Sequence, residues 1–236
     1  MKVVTIIQAR MGSSRLPGKV LMDIAGRPII AHVIERAQAI HGVDQVVLNV
    51  PAQDAAAFGQ QACRVYGVPN QEQDVLASYL YVAEQEQADV IMRITGDCPL
   101  LAPELCSDVL DLYKSLDDDW AYCANDTLRS GFPDGTDCEV VSIDALRKAA
   151  ECAETAFERE HVTIWLRRGL ANYGVLAPYG WQMDLKNAKW SVDTKDDLDL
   201  VRGINRYLEQ SKYMKMFSIN RTVDAYRELL FWKDGK

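Results

Sequence analysis

The sequence predicts an α/β protein in which a mostly parallel sheet is covered by helices on both faces. The first observation is a continuous β-branched apolar run at residues 3–7, which is typical of a strand buried on both faces. The second is the alternation of strand-like and helix-like segments along the chain. The third is the length of 236 residues with 48% hydrophobic residues, which suits one domain with a substantial core. We therefore expect a single domain over residues 1–236.

The individual elements follow from hydrophobic periodicity and from capping residues. Pro28 suits the first turn of a helix, and apolar residues then repeat at helical spacing. Thr194, with Asp197 three residues later, forms a capping pattern. The predicted strands cover 3–7, 45–50, 89–94, 139–142, 173–177 and 189–192. The predicted helices begin at Pro28 and cover 54–66, 75–87, 103–115, 157–168 and 195–208, with a peripheral helix after residue 214.

Composition and charge exclude several classes of protein. The chain has 26 Lys and Arg against 34 Asp and Glu, a net charge of −8, which argues against nucleic acid as a partner because duplex binding needs a basic surface. The six cysteines form no C-x-x-C pair and fit no zinc template, so they indicate reduced thiols. The apolar runs are too short for a signal peptide or a membrane span. We expect a cytoplasmic protein with no membrane partner.

The loop after the first strand, QARMGSSRLPGK at residues 8–19, carries the most chemical information. Arg10, Arg15 and Lys19 bring three cations into ten residues with no acidic residue among them. Gly12 and Gly18 allow tight turns, and successive loop amides can cradle phosphate oxygens. The spacing matches neither G-x-G-x-x-G nor the P-loop, so neither of those nucleotide-binding motifs is supported. From these residues alone, the loop is either an anion-binding loop or a solvated basic loop.

Two further segments each offer a carboxylate for a metal ion. RITGDCPL at 93–100 places Asp97 beside a glycine at the carboxyl end of a predicted strand, where it can reach a metal that bridges phosphates. SVDTKDDL at 191–198 uses Thr194 as a helix cap and leaves Asp193 free to bind a metal. Magnesium is usually held by one or two carboxylates together with substrate phosphates, so two Asp suffice. Taken singly, each Asp can also be an ordinary turn or cap residue.

These segments resemble the signature of the sugar-activating cytidylyltransferases. This group contains the CMP-KDO synthetases, the acylneuraminate cytidylyltransferases and especially the spore coat polysaccharide biosynthesis protein F group. The loop is similar to their A-R-x-x-S-x-R-L-P-x-K string, and the two Asp segments to their G-D-x-P-L and V-D-T-x-x-D-L strings. FPDGTDCEV at 132–140 and REHVT at 159–163 are similar to blocks of the spore coat group. The matches keep the family's order over most of the chain.

The resemblance implies a Rossmann-like nucleotide-diphospho-sugar transferase fold of the GT-A-like type, with a sugar-binding and dimerisation insertion around 120–180. It implies a homodimeric, magnesium-dependent enzyme that transfers CMP from CTP to the anomeric hydroxyl of a nonulosonic or KDO-type sugar acid. Pyrophosphate is released, and the product serves surface polysaccharide biosynthesis. Mg²⁺ is expected on Asp97 and Asp193.

The resemblance also assigns roles to individual residues. The expected catalytic residues are Arg15, Lys19, Asp97 and Asp193. The expected nucleotide-binding residues are Ala9, Arg10, Gly12, Ser13, Arg15, Lys19 and Asp74. The expected sugar-binding residues are Arg129, Asp134, Asp137, Glu139, Arg159 and His161.

Two features leave the substrate open. The three acidic residues between 134 and 139 suit neutral sugar hydroxyls better than a carboxylate, whereas Arg129 close by could bind a carboxylate. QDVLAS at 73–78 resembles the spore coat group's D-V-L-x-R block, but Ser78 stands where arginine is usual. The departure weakens the assignment of Asp74 to the nucleotide.

Three alternative functions are consistent with parts of the sequence. A nucleotidyltransferase that uses another base usually carries a G-G-x-G-x-R loop, which this chain lacks. A glycosyltransferase that consumes a nucleotide sugar commonly has a D-x-D metal motif; residues 197–199 fit it in letters but lie in a predicted helix. An inactive accessory protein is favoured only by Ser78, and the presence of Lys19, Asp97 and Asp193 argues against it.

Overall fold

The structure is a computed structural model of the chain. The structure describes residues 1–59, 61–116, 118, 120–125, 131–169, 173–175, 185, 187–210 and 218–234. The strands are β1 Val3–Gln8, β2 Asp23–Ile24, β3 Arg27–Pro28, β4 Gln45–Pro51, β5 Arg64–Val68, β6 Val90–Thr95, β7 Tyr122–Ala124, β8 Glu139–Ser142 and β9 Tyr173–Val175. The helices are α1 Ile29–Gln38, α2 Ala55–Phe58, α3 Val75–Gln85, α4 Pro103–Ser115, α5 Ile143–Cys152, α6 Ala156–Glu160, α7 Ile164–Gly169, α8 Lys195–Gln210 and α9 Ile219–Asp234.

Seven of the strands form one mixed sheet in the order β5-β4-β1-β6-β8-β7-β9. The four strands from β5 to β6 are parallel. Strand β8 is antiparallel to both of its neighbours, and β9 is parallel to β7. The carboxyl ends of β1 and β6 therefore lie side by side, with Gln8 level with Thr95, and the loops that follow these two strands meet at one edge of the sheet.

Helices pack on both faces of the sheet, as the sequence predicts. In β1, Val3 and Ile7 belong to one core cluster and Val4 and Ile6 to the other, because successive side chains of a strand point to opposite faces. Apolar residues of α1, α4 and α8 cover the first face. Apolar residues of α3, α5 and α7 cover the second face. Within the described residues, no helix is both long and apolar enough to cross a membrane.

Three sequence predictions about elements are wrong. The predicted helix at 54–66 is only the short α2, because the chain turns at Gly59, whose φ is +52°, and returns as the edge strand β5 beside β4. The predicted helix at 157–168 is divided into α6 and α7 at Val162, whose φ is +53°. The predicted strand at 189–192 is a single bridge between Lys189 and Asp134. Helix α5 lies in a segment for which no helix is predicted.

Candidate active site

Two cavities adjoin at the carboxyl ends of β1 and β6. The loop cavity, of about 350 Å³, is lined by the basic loop together with Glu160 and His161. The strand cavity, of about 480 Å³, is lined mainly by residues of β7, β8 and the loops beside them. The residues that line both cavities are Arg93, Thr95, Asp97 and Asp193. The two predicted metal carboxylates thus lie where the cavities meet.

The loops after β1 and β6 each require a glycine directly before a predicted site residue. Gly96 donates from its amide to the Gln8 carbonyl at 2.8 Å, and a Cβ at Gly96 would lie 2.9 Å from the Cβ of Ala9. Gly18 has a φ of +69°, a conformation that glycine adopts without the steric cost of a side chain, and it precedes the short 3-10 turn Lys19–Leu21. Close packing at Gly96 therefore places Asp97, and the backbone turn at Gly18 places Lys19.

Lys19 joins the two predicted metal carboxylates. Its Nζ lies 2.6 Å from Asp97 Oδ2 and 2.8 Å from Asp193 Oδ1. The main chain also connects the two segments, because the Val192 amide donates to the Asp97 carbonyl at 2.9 Å. Burial lowers the pKa of Lys19, but the two carboxylates outweigh it and the pKa is raised above its ordinary value. Lys19 is therefore a fixed cation between two acidic groups that belong to distant parts of the chain.

Asp193 is held by two further cations. Arg15 Nη2 lies 2.8 Å from its Oδ1, and Lys189 Nζ lies 3.0 Å from its Oδ2. Burial raises the pKa of Asp193, but hydrogen bonds from Lys19 and Lys189 outweigh this effect and lower the pKa to about 2. Asp193 is therefore ionised throughout the physiological range.

The cap at the start of α8 is formed by Thr194 and Asp197, so the side chain of Asp193 is not used in capping. Asp197 Oδ2 accepts from the Thr194 amide at 2.8 Å, and Thr194 Oγ1 accepts from the Asp197 amide at 3.2 Å, which confirms the predicted capping pattern. Asp199 pairs with Lys195 on the exposed surface of the same helix. The D-x-D letters at 197–199 are therefore used in capping and in a surface ion pair, and the helical location expected for them is confirmed.

The donor set at the junction fits magnesium. Asp97 and Asp193 present carboxylate oxygens, the ligands that a hard divalent cation prefers. The described residues contain no cluster of three or more His, Cys, Asp or Glu that could enclose a metal alone. Magnesium usually retains waters and is bound through one or two carboxylates plus phosphate oxygens, so this open pair suits it better than a closed metal site would.

The basic loop is braced by acidic residues outside it. The Met11 amide donates to Asp54 Oδ2 at 2.7 Å, and Arg10 lies 3.7 Å from Glu72. Lys19 is nearly buried, whereas the Arg10 and Arg15 side chains are 47% and 61% exposed and so can reach a ligand in the loop cavity. Of the predicted nucleotide-binding residues, Ala9, Arg10, Ser13, Arg15 and Lys19 line the loop cavity.

The strand cavity is rich in hydrogen-bond acceptors. Asp134, Asp137 and Glu139 of the predicted sugar-binding set line it, beside Asn125 and Ser191. Asp134 accepts from the Ser191 hydroxyl at 2.8 Å. The turn that carries these acids is pressed against the segment before α8, because a Cβ at Gly135, whose φ is +97°, would lie 2.6 Å from the carbonyl carbon of Trp190. Asp134, Asp137 and Glu139 are called the acidic wall below. The turn that carries the wall is thus fixed to the segment that leads to Asp193.

Glu139 is bound by three neighbouring side chains. It forms an ion pair with Arg93 Nη1 on the adjacent strand β6, and its Oε1 accepts from the Tyr122 hydroxyl at 2.6 Å and from the Thr163 hydroxyl at 2.5 Å. Burial raises the pKa of Glu139, but the charge of Arg93 and these hydrogen bonds outweigh it and lower the pKa. Arg93 is a site residue that the sequence motifs do not assign, although an arginine inside a buried strand shortly before Gly96 and Asp97 is a signal that could have identified it.

Of the other predicted site residues that the structure describes, His161 lines one cavity and the rest line neither. Asp74 caps α3 by accepting from the Ala77 amide at 2.9 Å and pairs with Arg159 at 2.7 Å. Neither residue of this pair, nor Gly12, is among those that line the two cavities. His161 lines the loop cavity and not the strand cavity, and its ring centroid lies 4.3 Å from that of Phe157. Arg129 lies outside the described residues.

Ser78, the departure from the spore coat pattern, is buried on the sheet side of α3. Its hydroxyl donates to the Val75 carbonyl at 2.7 Å and accepts from Asn49 Nδ2 at 2.8 Å. The position therefore joins α3 to β4, and Ser78 is not among the residues that line either cavity.

Known proteins resemble this chain over most of its length. A sequence model of the family described as Cytidylyltransferase matches residues 4–222. The chain is 30% identical to an uncharacterized protein of Methanocaldococcus jannaschii over 97% of this chain and 99% of that protein. It is 29% identical to the spore coat polysaccharide biosynthesis protein SpsF of Bacillus subtilis over 86% of this chain and 85% of that protein. It is 36% identical to a 3-deoxy-manno-octulosonate cytidylyltransferase of Escherichia coli over 65% of this chain and 55% of that enzyme.

Two solved structures share the fold. A cytidylyltransferase from Leptospira borgpetersenii superposes with a TM-score of 0.82 and 23% identity, over 97% of this chain and 95% of that one. A CMP:2-keto-3-deoxy-manno-octonic acid synthetase in complex with CTP gives 0.59 and 21% identity, over 86% and 97%. The predicted Rossmann-like nucleotidyltransferase fold is confirmed. By its sequence match from residue 4 to residue 222, the chain belongs to the cytidylyltransferase family and is a nucleotidyltransferase.

Proposed function

We propose that this protein transfers CMP from CTP to the anomeric hydroxyl of a sugar acid and releases pyrophosphate. The observation that carries the proposal is the meeting of two cavities of different character at Asp97 and Asp193. The cavity with the cationic loop suits a triphosphate, and the acceptor-rich cavity suits a polyhydroxylated sugar. A relative named for 3-deoxy-manno-octulosonate supports a sugar acid as the acceptor, and a relative named for spore coat polysaccharide biosynthesis supports a role in polysaccharide synthesis.

The proposed reaction is an in-line displacement at phosphorus. A bond forms between the anomeric oxygen and the α-phosphorus, the bond from the α-phosphorus to the pyrophosphate oxygen breaks, and the hydroxyl proton leaves to water. Such a step depends on positioning and on neutralisation of charge more than on covalent catalysis. Lys19 and Arg15, which lie at the junction, stabilise the charge that develops on pyrophosphate, and Arg10 holds the triphosphate.

Asp97 and Asp193 are the proposed ligands of Mg²⁺. The ion would supply positive charge against the phosphate oxygens and lower the pKa of the sugar hydroxyl. Lys189 and the cap of α8 keep Asp193 ionised and oriented toward the junction. Asp134 and Asp137, with Asn125 and Ser191, offer hydrogen bonds to the sugar hydroxyls.

The remaining parts of the proposal concern the setting of the reaction. All six cysteines are free, which suits a protein of the reducing cytoplasm. A homodimer, a sugar-binding and dimerisation insertion around 120–180 and a role in surface polysaccharide synthesis are carried over from the family resemblance.

The test is pyrophosphate release by the purified protein with Mg²⁺. CTP, UTP, GTP and ATP are offered in turn against a panel of sugar acids and neutral sugars. We expect release with CTP and a sugar acid. Release with a different nucleotide would overturn the assignment to CTP, and an absence of magnesium-dependent CTP binding would overturn the whole proposal.

A further inference from the structure

Arg93 is a cation at the junction of the two cavities. It lies on β6, four residues before Asp97, and lines both the loop cavity and the strand cavity. Its side chain is 19% exposed, and its Nε is buried with no hydrogen-bond partner among the described residues. A group that binds there sits next to the two proposed metal carboxylates.

The guanidinium group of Arg93 is held in place by Glu139 and by the aromatic ring of Tyr79. Glu139 engages Nη1 and is itself anchored by Tyr122 and Thr163, and the guanidinium carbon lies 5.9 Å from the centre of the Tyr79 ring. Arginine carries five N–H donors, and one carboxylate partner leaves several of them available. In the described part of the chain, Glu139 is the carboxylate with which Arg93 forms an ion pair.

Away from the junction, the strand cavity is lined mainly by oxygen atoms. Asp134, Asp137, Asn125 and Ser191 present carboxylate, amide and hydroxyl groups. A carboxylate placed between the two acids would be repelled, whereas sugar hydroxyls would be accepted. The described lining also contains two arginines, Arg93 and Arg167, and of these two Arg93 also lines the loop cavity. The carboxylate of an acidic sugar therefore fits this cavity beside an arginine, and at the junction that arginine is Arg93.

The reaction itself fixes which carbon of the sugar lies at the junction. The attacking anomeric oxygen must reach the α-phosphorus, so the anomeric carbon lies where the cavities meet. In a 2-ulosonic acid the carboxylate is attached to that same carbon, one bond away. In an aldose or a uronic acid, that carbon carries no carboxylate.

We propose that Arg93 is the specificity-determining residue that recognises the carboxylate attached to the anomeric carbon of the sugar acid. This inference rests on the function proposed above. Arg93 receives the carboxylate at the junction, while the acidic wall binds the hydroxyl groups of the tail. The arrangement reconciles an acidic cavity with an acidic substrate, because the one charged group of the substrate never enters the acidic part.

The test compares 2-ulosonic acids of eight and nine carbons with their C1 carboxamides and with aldoses, using CTP and Mg²⁺. Because loss of Arg93 alone would leave Glu139 buried without its partner, the main variant is the double change Arg93→Gln with Glu139→Gln. Arg93→Lys keeps the charge but loses the planar fork. Arg147→Gln, which removes two exposed ion pairs, is the matched control. Arg167→Gln tests the other described arginine of the strand cavity.

We expect the unaltered protein to turn over an acid and to reject its carboxamide. The double variant should raise the KM for the acid by roughly 10- to 100-fold, the size expected for loss of a hydrogen bond between charged groups, with the KM for CTP unchanged. Its preference for acid over carboxamide should disappear.

Three results would overturn the inference. The first is that the unaltered protein uses the carboxamide or an aldose as well as the acid. The second is that no 2-ulosonic acid is turned over although CTP binds. The third is that Arg167→Gln loses the preference for the acid while the double variant keeps it. The first and third leave cytidylyl transfer standing. Failure to bind CTP would remove the proposed function together with the inference.

Discussion

The ammonium group of Lys19 lies 2.6 Å from Asp97 Oδ2, in contact with an oxygen that is proposed to bind Mg²⁺. The same ammonium contacts Asp193 Oδ1 at 2.8 Å, so Lys19 and a divalent cation compete for the same pair of carboxylates. A triphosphate that draws Lys19 and Arg15 toward its oxygens would release these carboxylates for the metal. Metal binding and nucleotide binding are therefore expected to assist each other.

The first prediction concerns the affinity of the protein for Mn²⁺, which serves as a probe of the metal site. Mn²⁺ should bind weakly to the protein alone and at least about tenfold more tightly when CTP is bound, which is within the usual range of coupling between linked sites. Lys19→Met should tighten Mn²⁺ binding in the absence of CTP and nearly abolish turnover. Isothermal titration with and without CTP measures the coupling. Equal Mn²⁺ affinity in the presence and absence of CTP would contradict the competition.

The second prediction concerns Asp97 directly. Asp97→Asn keeps the size of the side chain but loses the charge that a divalent cation needs, so we expect kcat to fall by at least about a thousandfold while the protein stays folded. Circular dichroism and thermal unfolding verify the fold, and pyrophosphate release measures the rate. Asp199→Asn, which alters an exposed ion pair of α8, is the control and should keep full activity. Full turnover in folded Asp97→Asn would remove the metal assignment.

The third prediction follows from the low pKa of Asp193. A carboxyl group whose pKa falls from 3.8 to about 2 on folding stabilises the protein above about pH 4, and this contribution is lost as the pH falls toward 2. The contribution at neutral pH amounts to at most about 2 kcal/mol, because solvent screens the ion pairs of a partly exposed carboxylate. Between pH 4 and pH 2, the free energy of unfolding of Asp193→Asn should therefore fall by about 1–2 kcal/mol less than that of the unaltered protein. Urea unfolding at several pH values measures the difference, and parallel curves would show that Asp193 contributes nothing.

The central strands and the two aspartates could be predicted from local signals. Continuous β-branched runs mark β1 and β4, and Gly next to Asp at the end of β6 marks the loop that carries Asp97. Strand β5 could not be predicted, because it is an edge strand whose side chains are mostly exposed or half-buried. It also follows an alanine-rich segment with high helix propensity. Edge strands of this kind lack the continuous apolar run that identifies a buried strand.

The pairing of Arg93 with Glu139 could not be read from the sequence. The two residues are 46 positions apart and meet only because β8 inserts antiparallel beside β6 with Arg93 level with Glu139. Long-range pairing and register, and not local propensity, decide this contact. Lys189 lies only four positions from Asp193, but no sequence motif marks the pair, and Lys189 also forms a bridge with the distant Asp134.

The fourth prediction is that Lys189 positions Asp193. Lys189 lies 3.0 Å from Asp193 Oδ2 and 2.7 Å from Asp197 Oδ2, so it fixes the carboxylate relative to the cap of α8. Lys189→Met should lower kcat roughly tenfold with little change in the KM for CTP, because a small displacement of a catalytic group is costly. Lys189→Arg should restore most of the rate. Lys195→Met is the matched control, since Lys195 pairs with Asp199 on the exposed side of the same helix. A loss in kcat of equal size in both methionine variants would show a general effect on α8.

The fifth prediction concerns stability away from the cavities. Ser78→Ala removes the acceptor of Asn49 Nδ2, and because Asn49 is fully buried, water cannot replace the lost partner. An unsatisfied buried donor costs about 1–3 kcal/mol, so the urea midpoint should fall accordingly while the KM values for both substrates stay nearly constant. Ser115→Ala, whose hydroxyl donates to Leu112 from an exposed position, should change stability by less than about 0.5 kcal/mol. A rise in the KM for CTP at unchanged stability would place Ser78 in nucleotide binding and not in the contact between α3 and β4.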